Sequence, residues 1–273
     1  PSTSSAASDV YKRQLLLEAG PSDRRFWVQV PIGYGILFHQ KAVNWMYNTD
    51  PVPGLDGRVI YHPRGKVLGG SGSINALVYH RGQAGDYDDW AAAGNDGWSY
   101  ADVAPHFEQL ETPPQDDPGA PHLSVTDNSA DFHPMGSDFL EICRQGQLPV
   151  CDAPAREGIG ITPYLTTTRD GQRCSSAKAF LRPAMRRRNL TVVTGAHVSR
   201  IGFEGTRARS VSYSRNGQDF KVRAGAEIIL AAGAVGSPQI LQLSGVGDAR
   251  YLQSIGIRSC LLYTSPSPRD SNL

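Results

Sequence analysis

The residues with the most chemistry in them lie between Arg64 and Gly82, where the chain reads RGKVLGGSGSINALVYHRG. Positions 65 to 73 hold Gly65, Gly69, Gly70 and Gly72 together with Ser71 and Ser73. Glycine admits positive φ and lets a backbone approach a ligand closely, so amide N–H groups along such a loop are free to point at one. A loop of this kind suits a phosphate or a flavin edge. Asn75 follows inside the apolar run Ile74, Ala76, Leu77 and Val78. It is the one side chain there with both donors and acceptors, and a buried amide must find partners. The plain alternative is a glycine-rich turn ahead of a core segment. A hydrolytic reading of Gly70-Ser71-Gly72-Ser73 lacks the spacing of a G-x-S-x-G nucleophile elbow.

A second candidate is Glu18, which ends the apolar run Leu15-Leu16-Leu17 just before Gly20. Such a run reads as a buried parallel strand. In a dinucleotide-binding βαβ unit an acid in this place takes the ribose hydroxyls, about 20 residues after a G-x-G-x-x-G loop. No such loop precedes Leu15 in this sequence. A third nucleotide-site arrangement is the apolar run Glu227 to Gly233, read as a buried strand, followed by Ser237-Pro238, which reads as a capped helix start.

The remaining elements follow from pattern. Residues 20 to 63 are rich in Pro, Gly and aromatics, which reads as a long ordered excursion with short helical pieces. Asp86 to Ala93 and the stretch from Ser99 to about Glu111 read as helices, the second with a capping box at Ser99 and Asp102. A short strand is expected around Leu123 to Val125, a helix from Ser137 to Gln147, and an imperfect strand from Gly160 to Thr168. Ser175-Ser176 opens a further helix that Pro183 should kink or break, since an interior proline costs about 3 kcal/mol. Leu190 to Thr194, Val198 to Phe203, Ser210 to Arg215 and Phe220 to Arg223 read as strands, with Asn216-Gly217 as a hairpin turn.

The run G-K-V-L-G-G-S-G-S-I-N, continued to Tyr79, resembles the first signature of the glucose-methanol-choline (GMC) family of flavin oxidoreductases. The run from Gly236 to Gly247, GSPQILQLSGVG, resembles that family's second signature. Two long motifs in the right order are more specific than a lone glycine fingerprint. The resemblance covers residues 15 to 257. It implies bound FAD, with Glu18 at the adenosine ribose and Val67, Gly69, Gly70 and Ser71 beside the pyrophosphate and isoalloxazine. It also implies Asn75, Ala76 and Val78 along the flavin ring, and Val198 at the adenine. Some relatives attach FAD through a histidine directly before the Asn; Ile74 stands there, so the expected FAD is non-covalent. The implied chemistry is oxidation of a small alcohol substrate by hydride transfer to flavin N5, with the electron acceptor left open. The family's catalytic histidine lies in a C-terminal segment that no histidine of this sequence matches, so no catalytic residue is assigned, and a fragment of a longer enzyme is expected.

The expected fold class is α/β: an incomplete Rossmann-like FAD-binding domain with a parallel sheet, an antiparallel β-meander and part of a substrate domain. The expected boundaries are a non-native or disordered tail at 1–14, the first part of the FAD-binding domain at 15–111, and a substrate-domain portion at 112–187. The second part of the FAD-binding domain follows at 188–257, then a second such tail at 258–273. The 273 residues have 40% hydrophobic and 19% charged residues and a formal net charge of +1. That balance gives no sign of a nucleic-acid partner. Cys143, Cys151, Cys174 and Cys260 show no C-x-x-C spacing, which fits reduced thiols and a cytoplasmic setting. No apolar run reaches the roughly 20 residues of a transmembrane segment, and the histidines lack metal-ligand spacing, so neither membrane span nor metal is expected. The competing reading is a non-catalytic nucleotide-binding or structural remnant without flavin.

Overall fold

A computed structural model describes residues 13–151, 160–259 and 261–262. The chain falls into two compact units, one of residues up to Pro21 with those from Thr191 onward, the other of Ser22–Leu190. Both expected tails lie largely outside the described residues, although Gln14 already belongs to the first strand, β1 (Gln14–Glu18).

The Ser22–Leu190 unit starts with the short helical pieces that the Pro- and Gly-rich composition predicts, Phe26–Gln29, Pro31–Gly33 and Tyr34–Leu37. Two-residue strands β2 (Tyr47–Asn48) and β3 (Tyr61–His62) then pair antiparallel. Val28, Leu37, Val43, Val67 and Ile74 form a buried cluster beneath these turns. Asn44 staples them together. Its Nδ2 donates to Phe38 O and Tyr61 Oη at 2.8 and 2.9 Å, while its Oδ1 accepts from Met46 N and Arg64 N at 2.9 and 3.0 Å. Every hydrogen-bonding position of that buried amide is thus used.

After the glycine loop, β4 (Val78–Tyr79) pairs antiparallel with β5 (Leu165–Thr166). The helices Ala84–Ala92 and Tyr100–Glu111 follow, and the Ser99–Asp102 capping box forms as the spacing predicts. The helix expected at Ser137 to Gln147 is present as Pro134–Gln145. Around Leu123 to Val125 no strand forms among the described residues; the only pairing nearby is an isolated bridge from Thr126 to Thr166. Strands β6 (Thr168–Arg169) and β7 (Gln172–Arg173) make a tight hairpin. The chain then enters a π-turn at Ala177–Leu181 and an α-turn at Arg182–Ala184. Pro183 sits in the first turn of the second piece, so the expected break is realised as a change of helix type.

In the other unit β1 pairs with β8 (Leu190–Thr194). Strands β9 (His197–Glu204), β10 (Arg207–Arg215) and β11 (Gln218–Arg223) form the antiparallel meander. Asn216 and Gly217 turn the last hairpin with φ of 51° and 76°, the left-handed pair that a two-residue hairpin loop requires. Tyr213 and Phe220 face each other in register and stack at 5.2 Å. The helix Gly233–Leu243 is bonded to the meander through Ser244, whose Oγ accepts from Ile201 N at 2.8 Å. Strand β12 (Val246–Gly247) pairs parallel with β13 (Leu261–Leu262).

Two sequence expectations are corrected here. The run from Glu227 to Gly233 is not a buried strand: no described strand pairs with it, and Ile229 is 71% exposed. An apolar run becomes a strand only when a neighbour supplies the ladder. The helix expected to start at Ser237-Pro238 starts instead at Gly233, where φ of 81° turns the chain, and Ser237 Oγ accepts from Ala232 N at 3.0 Å. Pro238 lies inside the helix on an exposed face, where it forfeits one backbone hydrogen bond.

Candidate functional site

The glycine loop is held from below and left open above. Val67, Leu68, Ile74 and Leu77 are buried on either side of it. Ser73 is buried as well, and its Oγ donates to Leu68 O at 2.7 Å. Ser71 Oγ accepts from Gly65 N at 3.0 Å, which folds the loop back on its entry. Gly65 must be glycine for that closure, since a Cβ there would lie 2.2 Å from the Gly70 backbone. Gly69 has φ of 86°, and a Cβ on it would meet Ser73 Oγ at 2.4 Å and Ala177 Cβ at 3.0 Å. Above Gly70 and Gly72, in contrast, an added Cβ would meet nothing within 4 Å. The N–H groups of Ser71 and Gly72 open the turn Gly70–Ser73, ahead of any acceptor within it. The loop therefore offers a ligand bare backbone on its outer side.

Asn75 ends the turn half-buried. Its Oδ1 accepts from Leu77 N at 3.1 Å and from Arg173 Nη1 at 2.8 Å. The first bond supports Leu77, whose φ of 65° is unusual for a branched apolar residue. The second settles the amide's orientation, because a guanidinium has no acceptor and only the carbonyl oxygen can face it. The amide N–H groups thus turn away from the guanidinium, and no protein partner takes them among the described residues. Asn44 and Asn75 differ in this respect: one spends all its hydrogen bonds inside the protein, the other keeps its donors.

Arg173 was not foreseen as a site residue. It is 1% exposed and also donates from Nε to Val28 O at 3.0 Å and from Nη1 to Gly72 O at 3.3 Å. Its Nη2 is buried without a hydrogen-bond partner. Burial lowers its pKa to about 10, so it is charged at neutral pH. A mixed-character stretch such as Gln172-Arg173-Cys174 carries no sequence signal of burial, which arises from the hairpin that turns it under the loop.

The other expected cofactor residues are placed as follows. Val67 is wholly buried, so only its main chain can face a ligand; Ala76 and Val78 are exposed, and Val78 lies in β4. Gly69, Gly70, Ser71, Asn75, Ala76 and Val78 thus lie along one stretch of the Ser22–Leu190 unit, with Val67 buried at its start. Glu18 and Val198 belong to the other unit. Glu18 Oε1 accepts from Gly20 N at 2.8 Å, and Glu18 O accepts from Ala196 N at 2.9 Å, which sets the end of β1 beside the start of β9. Val198 lies half-buried in β9 opposite Tyr213.

Beside the loop, Tyr79 Oη donates to Glu111 Oε1, and Arg81 grips the same carboxylate with two nitrogens, Nε at 2.8 Å. Burial, reinforced by the Glu111 carboxylate, raises the Tyr79 pKa well above its ordinary value. This group ties β4 to the end of helix Tyr100–Glu111. His62, His80, His122 and His133 each bond a group within two residues of themselves, as structural histidines do. Among the described residues no cluster of His, Cys, Asp or Glu is placed to hold a metal, and no helix is long and apolar enough to cross a membrane.

The α/β fold with its antiparallel meander and glycine loop agrees with a flavoprotein oxidoreductase, the class given by a family model for GMC oxidoreductases that matches residues 5–261. The chain belongs to the GMC oxidoreductase family. It is 42% identical over 247 residues to an uncharacterised GMC-type oxidoreductase of Mycobacterium tuberculosis, covering 86% of this chain and 46% of that protein. It is 40% identical over 265 residues to the mitochondrial choline dehydrogenase of Homo sapiens, covering 91% of this chain and 44% of the relative. Among solved structures, pyridoxine 4-oxidase from Mesorbium loti superposes with a TM-score of 0.83 at 30% identity, over 93% of this chain and 51% of that one. The chain therefore spans about half the length of the proteins it matches. FAD is the cofactor of this family's fold. The residues present fit it: the open backbone over Gly70 and Gly72, the unspent Asn75 donors and the unbalanced Arg173 charge are complementary to a ring edged with hydrogen-bond acceptors that gains negative charge on reduction.

Proposed function

We propose that this chain holds FAD, without a covalent link, in an oxidoreductase that converts a primary or secondary alcohol to its carbonyl product. The observation that carries the reading is the Asn75 amide, fixed by Arg173 and Leu77 with its donors unspent at the edge of an open glycine loop. FAD, when bound, would supply a two-electron acceptor for the hydride of the alcohol carbon, while the hydroxyl proton would pass to a base. The protein's part is to bind and orient. Ser71 and Gly72 bring bare amides to the cofactor, Asn75 donates to it, and buried Val67, Ile74 and Leu77 keep the loop's inner side dry. Ile74, directly before Asn75, is buried and has no nucleophilic atom, which favours non-covalent retention. Glu18 is assigned to the adenosine ribose and Val198 to the adenine. Residues 15–111 and 188–257 are assigned to cofactor binding, and residues 112–187 to the substrate side. The choline dehydrogenase relatives favour a small alcohol as substrate.

The test is a visible spectrum of protein reconstituted with FAD and then desalted. Retained flavin absorbance, released as free FAD on denaturation, is the expected result. Folded protein that stays colourless would overturn the reading and leave a nucleotide-binding or structural remnant.

A further inference from the structure

Arg173 is the largest fully buried side chain among the described residues, and no carboxylate among them pairs with it. A buried cation is ordinarily paired, because withdrawing charge from water without a counter-charge costs several kcal/mol. Here three of its bonds go to neutral oxygens, Val28 O, Gly72 O and Asn75 Oδ1, and Nη2 has no partner. By comparison, buried Asp23 is answered directly by Arg182 at 2.8 Å, and Glu111 by Arg81. Two of the three Arg173 acceptors belong to the glycine loop and its closing asparagine. The charge is thus directed under the glycine loop, which is open above Gly70 and Gly72, and the loop's outer side lies where a counter-charge is wanting.

We propose that Arg173 is a positioning residue for the flavin: it locks the Asn75 amide with both N–H donors presented to the cofactor, and its uncompensated charge favours the electron-rich reduced ring. This rests on the reading of the loop as a flavin site. Arg173 reaches the cofactor through Asn75, so the two side chains act as one unit. A guanidinium-assisted hydrogen bond is roughly twice as strong as a neutral one, and it polarises the amide it holds, making the Asn75 N–H groups better donors. A lysine in its place keeps the charge but cannot span Val28 O, Gly72 O and Asn75 Oδ1 together.

The experiment is a double-mutant cycle on FAD binding with Arg173→Met, Asn75→Ala and the double variant. It is read by titration of the apoprotein, by the reduction potential of the bound flavin and by the melting curve of the apoprotein. Each single change is expected to weaken FAD binding roughly tenfold, and the double variant no more than the worse single one. Arg173→Met is expected to make the bound flavin harder to reduce, and Arg173→Lys to restore part of the potential. Losses that multiply to about a hundredfold, or an unchanged affinity and potential, would overturn the role of Arg173 while leaving the flavin site standing. If Arg173→Met does not fold, Arg173→Lys closes the cycle with the same criterion of non-additivity. Wild-type protein that takes up no FAD at all would overturn the flavin reading itself, and with it this one.

Discussion

Asn44 and Asn75 carry the same amide into the same unit, and their bonding separates their work. Asn44 is buried with four hydrogen bonds to Phe38, Tyr61, Met46 and Arg64. Asn44→Ala leaves several backbone groups unanswered, so urea denaturation is expected to show a loss of about 2 to 3 kcal/mol. Asn75→Ala strands only Leu77 N and one guanidinium bond on the protein side. It is expected to weaken FAD binding about tenfold while moving stability less than Asn44→Ala does, as titration and melting on one preparation would show. Gly69→Ala belongs to the same scale: with φ of 86° and Ser73 Oγ 2.4 Å from the added Cβ, a loss of about 2 kcal/mol or more is expected in the melting curve. Glycine spacing and the position of Asn75 are visible in the chain. The burial of Arg173 is not, because an arginine is apolar along its stem and charged at its tip, and only packing decides which end is answered.

Helix and strand signals that are local were legible where capping or turn chemistry is local too. Ser99 and Asp102 cap helix Tyr100–Glu111, and Asn216-Gly217 turns β10 into β11. Ser99→Ala is accordingly expected to cost about 1 kcal/mol in thermal unfolding. The same helix is pinned at its far end, where Glu111 takes Tyr79 and Arg81. Tyr79 has a raised pKa in the folded chain, so the unfolded chain loses that proton first as pH climbs. Its contribution to stability is fully present below its ordinary pKa of 10.0 and falls as pH rises beyond it. Tyr79→Phe should therefore flatten the loss of stability above pH 10, a difference that unfolding curves at neutral and alkaline pH would reveal. Glu227 to Gly233 shows the limit of local reading. Its apolar pattern is that of a core strand, yet a strand needs a partner's carbonyls and amides, and no described strand provides them.

At the scale of the molecule, a ligand that binds only the folded chain stabilises it by mass action. FAD at about a hundred times its dissociation constant should add roughly 2.7 kcal/mol, visible as a rise in melting temperature that AMP or riboflavin alone would not match. The glycine spacing, the capping residues, the hairpin turn and the two signature runs were determined by sequence alone, since each depends on residues a few positions apart. Tertiary structure decided which of these groups keep unspent bonds. It brought Arg173 from a distant hairpin beneath Gly72 and Asn75, buried Val67 so that only its backbone can serve a ligand, and left Ile229 in solvent. Those outcomes depend on which distant segments supply partners and exclude water, and neither is written in the order of neighbouring residues.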